Sequence, residues 1–214
     1  MPQIIHPHGG YRKLIVYEKS DMICQATQVF CRRFLPKYGD RTVDQMVQAA
    51  RSCKQNIVEG SEAAATSLET QLKLTNVARA SLGELLEDYI DCLKFDHLER
   101  WGVGHPRTPK LRKFAAEHPK WDGWAVFLEG CGKEEFCNAM ITVISQTMWM
   151  MQQLIDAQQK DFTENGGIRE RMTAARLGRR RTQNEEILGL KDENVRLRGE
   201  IERLKQRLAA LGGA

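Results

Sequence analysis

A chain of 214 residues with 42% hydrophobic side chains is long enough to bury a sizeable core, and a net charge of +4 is too small to make the whole molecule a polycation. Only 6 prolines interrupt it, and its apolar residues recur at helical rather than alternating spacing, which excludes a predominantly β fold and predicts an all-α one. No stretch reaches about 18 uninterrupted apolar residues, which excludes a membrane-spanning helix, and MPQIIHPHGG lacks the long apolar run of a signal peptide.

The first helix is expected from about Tyr11 to Phe34, with Val16, Ile23, Thr27, Phe30 and Phe34 on one side and Pro36 and Gly39 ending it. His6 and His8 precede it without a nearby carboxylate or cysteine, so an N-terminal arm is expected there rather than a metal site. The second helix opens at a capping-box spacing, Thr42 with Gln45, and buries Val43, Met46, Val47, Ala50, Cys53 and Ile57. Gly60 is expected to stop it in the left-handed conformation, with Asn56 and Glu59 in its last turn fixing the hairpin by side-chain hydrogen bonds. Thr66 with Glu69 then caps a third helix to about Leu93, whose small residues Thr75, Ala78, Ala80, Ser81 and Gly83 admit a close neighbour.

Residues 95–132 break the pattern with Pro106, Pro109, Pro119 and three tryptophans, and read as an elaborated connection holding one short helix from Thr108 to about Glu117. Trp101, Trp121 and Trp124 are expected to pack this segment onto the core rather than stack on bases beside Lys110, Arg112 and Lys113. The fourth long helix spans about Lys133 to Phe162, with Phe136, Met140, Val143, Ile144, Thr147, Met150, Met151 and Leu154 facing inward. Six cysteines, Cys24, Cys31, Cys53, Cys92, Cys131 and Cys137, form no CxxC pair and fall mostly in amphipathic segments, so reduced thiols in a cytoplasmic protein are expected.

Charge is concentrated near the end. Residues 166–181 hold six arginines, Arg169, Arg171, Arg176, Arg179, Arg180 and Arg181, against one glutamate, whereas residues 182–214 balance six basic with six acidic groups. That short segment is the candidate for attracting phosphates; its alternative is a solvated basic helix pairing with the acidic face of a neighbouring subunit.

From Ile187 the apolar positions Ile187, Leu190, Asn194, Leu197, Ile201, Leu204, Leu208 and Leu211 alternate gaps of three and four, the seam of a coiled coil over four heptads. Asn194 within the seam favours two parallel strands in register. In such a pair Glu186 faces Lys191, Glu193 faces Arg198, and Glu200 faces Lys205 of the other copy. Thr182 with Glu185 suggests that this helix starts afresh after the arginines.

Catalytic signatures are missing: there is no GxxxxGK phosphate loop, dinucleotide glycine fingerprint, HExxH or GxSxG. Glu84, Glu87, Asp88 and Asp91 lie along the third helix, but di-iron chemistry needs Glu-x-x-His pairs on other helices, so a solvated or intersubunit acidic face is expected, with no metal and no cofactor.

The run QAARSCKQNIVEG, the helix LTNVARASLGELLEDY, the start HGGYRKL and the later ENGGIRERMTAARLGRRR resemble a family of bacterial four-helix-bundle proteins first noticed in intervening sequences of large-subunit ribosomal RNA genes. The accessory protein of diversity-generating retroelements belongs to the same group, and a subset carrying a C-terminal suffix is the most similar. The resemblance covers roughly residues 8–181 and matches Asn56, Glu59 and Gly60 to the family's Asn-Ile-x-Glu-Gly element. It implies an antiparallel four-helix bundle over residues 1–165 with an insertion at about 95–132, then an arginine-rich suffix over 166–181; the heptads add a coiled-coil oligomerisation helix over 182–214. It also implies a non-enzymatic homo-oligomer that binds RNA or DNA and assists a reverse transcriptase, and ring-like assembly, commonly five-fold, where the zipper implies pairs.

A protein-protein assembly module without nucleic-acid binding is the alternative. A third reading compares the arginines and zipper with basic-region leucine zippers, which read DNA. There Arg171 stands where the base-reading asparagine belongs, Gly178 interrupts the helix, and the heptads fall out of step.

Overall fold

The computed structural model describes residues 10–36 and 41–211; His6, His8 and Gly39 lie outside them. The described residues form a short 3-10 turn, Gly10–Lys13, and seven α-helices with no strand. These are α1 Ile15–Phe34, α2 Arg41–Ala63, α3 Leu68–Phe95, α4 Thr108–Glu117, α5 Trp121–Gly130, α6 Lys133–Asn165 and α7 Ile168–Leu211. Contacts divide the described chain into a body ending at Ile168 and a second unit beginning at Arg169, each taken by itself below.

In the body α2 packs against α3, α3 against α6, and α1 against both α2 and α6, closing a circuit around one core; α4 rests on α6 and α5 on α1. Most of each expected stripe is buried, while Phe34, Val43, Val47, Met150 and Leu154 are half-buried against it. Val16, Ile23, Thr27 and Phe30 of α1, Met46, Ala50, Cys53 and Ile57 of α2, and Phe136, Met140, Val143, Ile144, Thr147 and Met151 of α6 all lose their solvent. Phe30 stands at the centre, its ring 4.9 Å from Tyr89, 5.3 Å from Phe136 and 5.4 Å from Phe34. The Tyr89 hydroxyl donates to Thr27 Oγ1 at 3.1 Å, and Thr27 in turn donates to the Ile23 carbonyl at 2.8 Å, so the buried phenol has a partner. The six cysteines are all buried. Burial pushes the Cys53 thiol up to about 12 and Cys131 up to about 11, which holds both as protonated, unreactive packing groups.

Four local expectations are corrected. Helix α2 begins at Arg41, so Thr42 lies inside its first turn rather than ahead of it. The cap of α3 is Ser67, not Thr66: Ser67 is extended (φ −156°, ψ 106°) and its Oγ accepts from the Thr70 N–H at 3.1 Å, while the Thr66 hydroxyl turns back to the Ala63 carbonyl. Gly60 does not end α2, which continues to Ala63. Its role is close approach, because a Cβ there would sit 3.4 Å from Leu74 Cβ and 3.5 Å from the Gln71 carbonyl oxygen across the α2–α3 contact. Gly60→Ala is therefore expected to be neutral or to stabilise by up to about 1 kcal/mol, since an alanine fits at ordinary contact distance and a helix prefers it to glycine. A loss of stability in urea denaturation would instead show that α3 approaches too closely to admit the added methyl.

The fourth correction is α5, a helix inside the stretch expected as connection. Trp124 and Leu128, one turn apart, are fully buried, and Trp124 Nε1 donates to the His118 carbonyl at 2.7 Å. Gly123 lies against His118, where a Cβ would come within 2.7 Å of the ring. Trp101 stacks on His105 with ring centroids 4.6 Å apart and donates its Nε1 proton to Glu134 at 3.1 Å. Tryptophan packing thus holds this segment down, as expected.

Two cations on α1 complete the attachment. Lys19 is 1% exposed and donates to the Ala115 carbonyl at 2.5 Å in the last turn of α4; Arg33 donates to the Leu128 carbonyl, and at 2.9 Å to the Cys131 carbonyl, where α5 ends. Helix C-termini expose unpaired carbonyls and the negative end of the helix dipole, so each cation satisfies a helix end that has no basic residue of its own. Burial holds the Lys19 pKa below its ordinary 10.5. The folded state then binds fewer protons than the unfolded state between the lowered value and 10.5, and stability from this residue rises with pH across that window. Comparing the chain with Lys19→Met by urea denaturation at pH 7 and pH 10 is expected to move the difference toward lysine at the higher pH. A shift the other way would mean that the ammonium is not the penalised form.

Candidate nucleic-acid interface and pairing seam

Gly166, at φ 68° with its N–H bonded to the Phe162 carbonyl at 3.0 Å, ends α6, and Ile168 opens α7. The helix then runs unbroken through the arginine segment and the heptads. Thr182 does not cap a new helix; its hydroxyl donates to the Gly178 carbonyl at 3.3 Å inside a continuous turn. Gly178 does not interrupt α7 either, since its backbone stays helical.

Arg169, Arg176, Arg179, Arg180 and Arg181 are exposed, and Arg171 is half-buried. At about 100° per residue, Arg169, Arg176 and Arg180 fall within about 40° of one line, Arg179 stands beside them, and Arg171 and Arg181 turn away. Four of the six expected phosphate-attracting residues thus share one side of the helix. Ile187, Leu190, Asn194, Leu197, Ile201, Leu204 and Leu208 are exposed along the seam; α7 carries Leu211, whose side chain lies outside those described. Within the single chain the Asn194 amide donates to the Leu190 carbonyl at 3.1 Å, and Lys205 pairs with Glu202 at 2.9 Å.

In the body, Asn56 Nδ2 donates to the Ser52 carbonyl at 2.8 Å and to Ser52 Oγ at 3.2 Å, and Ser52 Oγ reaches Ser81 Oγ across α2 and α3 at 3.0 Å. The bond that crosses from α2 to α3 is therefore Ser52 to Ser81, with Asn56 bracing Ser52 from its own helix; because α2 runs on to Ala63, Asn56 is not in its last turn as expected, and Glu59 is exposed. Glu84, Glu87 and Asp88 face Asp44, Gln45 and Arg41 in an open depression between α2 and α3. Partial burial, with Asp91 and Glu84 adding repulsion, raises the Asp88 carboxyl above the ordinary range. No cluster of three metal-capable side chains occurs among the described residues, and no described helix is long and apolar enough to cross a membrane. Sequence reasoning missed Lys19 and Arg33, although a lysine on the apolar stripe of α1, three residues from Val16 and four from Ile23, was a readable signal.

Comparison of the chain with protein-family models, curated proteins and solved structures finds no match.

Proposed function

We propose that this protein is a non-enzymatic, homo-oligomeric helical scaffold that pairs through the α7 seam and binds nucleic acid through the α7 arginines. The observation that carries this reading is one uninterrupted helix bearing exposed arginines in its first part and an exposed heptad seam in the rest. Within the reading, α1, α2, α3 and α6 make an antiparallel four-helix bundle, with α4 and α5 as its insertion. Opposed contacts support that arrangement: Ser52 meets Ser81 while Gly60 approaches Leu74, and Gly83 approaches Met148 while Lys133 pairs with Asp96. The resemblance to the ribosomal intervening-sequence and retroelement accessory proteins adds assistance to a reverse transcriptase as the proposed role, in the cytoplasm.

The test is binding of mixed-sequence RNA and duplex DNA over a salt series. Phosphate contacts release counterions, so affinity is expected to fall steeply with salt, by a slope of about −0.9 per contact on duplex DNA. Absence of binding at low salt would overturn the nucleic-acid half. One observation favours a second reading, assembly without nucleic acid: the acidic depression between α2 and α3, whose crowded Asp88 would be relieved by a cation from another copy. A chain that associates, with salt-sensitive mass and no affinity for nucleic acid, supports that alternative.

A further inference from the structure

The seam does not stop where the leucines stop. Because α7 is one helix, the heptad register of Ile187 and Leu190 carries back unbroken into the arginine segment. Counting in sevens, the position of Ile187 recurs at Arg180 and Thr173, and that of Leu190 at Gln183, Arg176 and Arg169. Gly178 falls on the outward side and leaves this register intact, while Arg171, Arg179 and Arg181 fall outside the seam. The face that is leucine and isoleucine in the second part of α7 is therefore arginine, glutamine and threonine in the first.

Two parallel copies zipped from Ile187 to Leu208 would bring Arg169, Arg176 and Arg180 of each into the same cleft. Paired helices run only about 8–10 Å apart, and six guanidinium groups at that spacing repel one another. The only acidic residue in 166–181 is Glu170, which flanks the seam and cannot neutralise six charges. The pair must part ahead of Ile187 unless an anion enters. The arginine stretch is about 17 Å long at 1.5 Å per residue, and a DNA duplex carries a phosphate charge about every 1.7 Å along its axis, so one such stretch meets more than enough phosphates. The major groove of B-form DNA is about 12 Å wide and admits an α-helix, whereas that of an RNA duplex is too narrow.

We infer that two paired α7 helices form a forked clamp for duplex DNA, in which Arg169, Arg176 and Arg180 of both copies face the phosphates and their mutual repulsion holds the arms open until DNA enters. This rests on the pairing and nucleic-acid reading above and adds the coupling: pairing and DNA binding strengthen each other by the same factor.

The test uses the full chain and two triple variants that remove equal charge: Arg169→Gln with Arg176→Gln and Arg180→Gln in the seam, and Arg196→Gln with Arg203→Gln and Arg207→Gln outside it. Sedimentation without DNA reads pairing; anisotropy with a mixed-sequence 20-base-pair duplex over a salt series reads binding. The seam variant is expected to pair at least tenfold more tightly than the parent while its duplex affinity falls about a hundredfold and its salt slope shrinks by about 5, the value for six lost contacts. The outside variant is expected to change neither by more than a few-fold. Equal losses in both variants, unchanged or weaker pairing in the seam variant, or tighter binding of a single strand than of the duplex would each overturn the clamp while leaving nucleic-acid binding in place. No duplex binding by the parent chain at low salt would overturn the underlying reading as well.

Discussion

Phe30→Ala is expected to destabilise the body by about 3–5 kcal/mol, the cost of removing a fully buried aromatic ring and leaving a cavity. The ring meets Phe34 on its own helix, Tyr89 on α3 and Phe136 on α6, so its loss loosens three helices at once. The space cannot close easily, because Tyr89 is held by its hydrogen bond to Thr27 and Phe136 is packed edge-on to Phe34 at 5.8 Å. At a few degrees per kcal/mol for a chain of this size, the melting temperature should drop by about 10 °C. Tyr89→Phe removes one hydrogen bond and no volume, and its expected cost is about 1 kcal/mol. Urea denaturation of the two variants beside the parent checks both, and equal small losses would mean that the aromatic cluster does not tie α1 to α3 and α6.

These large effects fall on residues that sequence periodicity exposes well. Val16, Ile23, Thr27 and Phe30 repeat at helical spacing, and so do Met46, Ala50, Cys53 and Ile57; burying one side of a long helix leaves few other ways to arrange them. What periodicity hid depends on contacts between distant residues. Gly60 looks like a helix stop because glycine often is one, yet here it serves the approach of Leu74 fourteen residues on. Helix α5 lies in a stretch that Pro106, Pro109 and Pro119 mark as connection, and the packing of Gly123 against His118 that accompanies it has no sequence signature. Ser67 displaced Thr66 as cap because both can accept an N–H and the backbone's extended residue decides. In α7 the heptads were legible, but a capping-box match at Thr182 suggested a break; helix propagation over good helix formers outweighs one cap signal when nothing forces a turn.

The seam yields the sharpest contrast, because exposure alone cannot identify it. Leu188 and Leu190 are each 59% exposed in the single chain, and Val195 is 72% exposed against 45% for Leu197. Only register separates them: Leu190 and Leu197 lie on the line with Leu204, whereas Leu188 and Val195 lie two residues off it, about 160° around the helix. Leu197→Ala removes a leucine from both copies of the proposed pair, at a combined cost of about 4 kcal/mol, and should raise the pairing Kd about a thousandfold. Leu188→Ala should leave it within a few-fold. The attractive pairs Glu186 with Lys191, Glu193 with Arg198 and Glu200 with Lys205 contribute only tenths of a kcal/mol each, so they choose parallel over antiparallel association without supplying its strength. Asn194→Leu should tighten association yet loosen its stoichiometry, since the buried amide trades stability for a unique two-stranded register. Sedimentation over a concentration series reads all three variants, and an equal shift from Leu188→Ala and Leu197→Ala would show that the helices meet along another line.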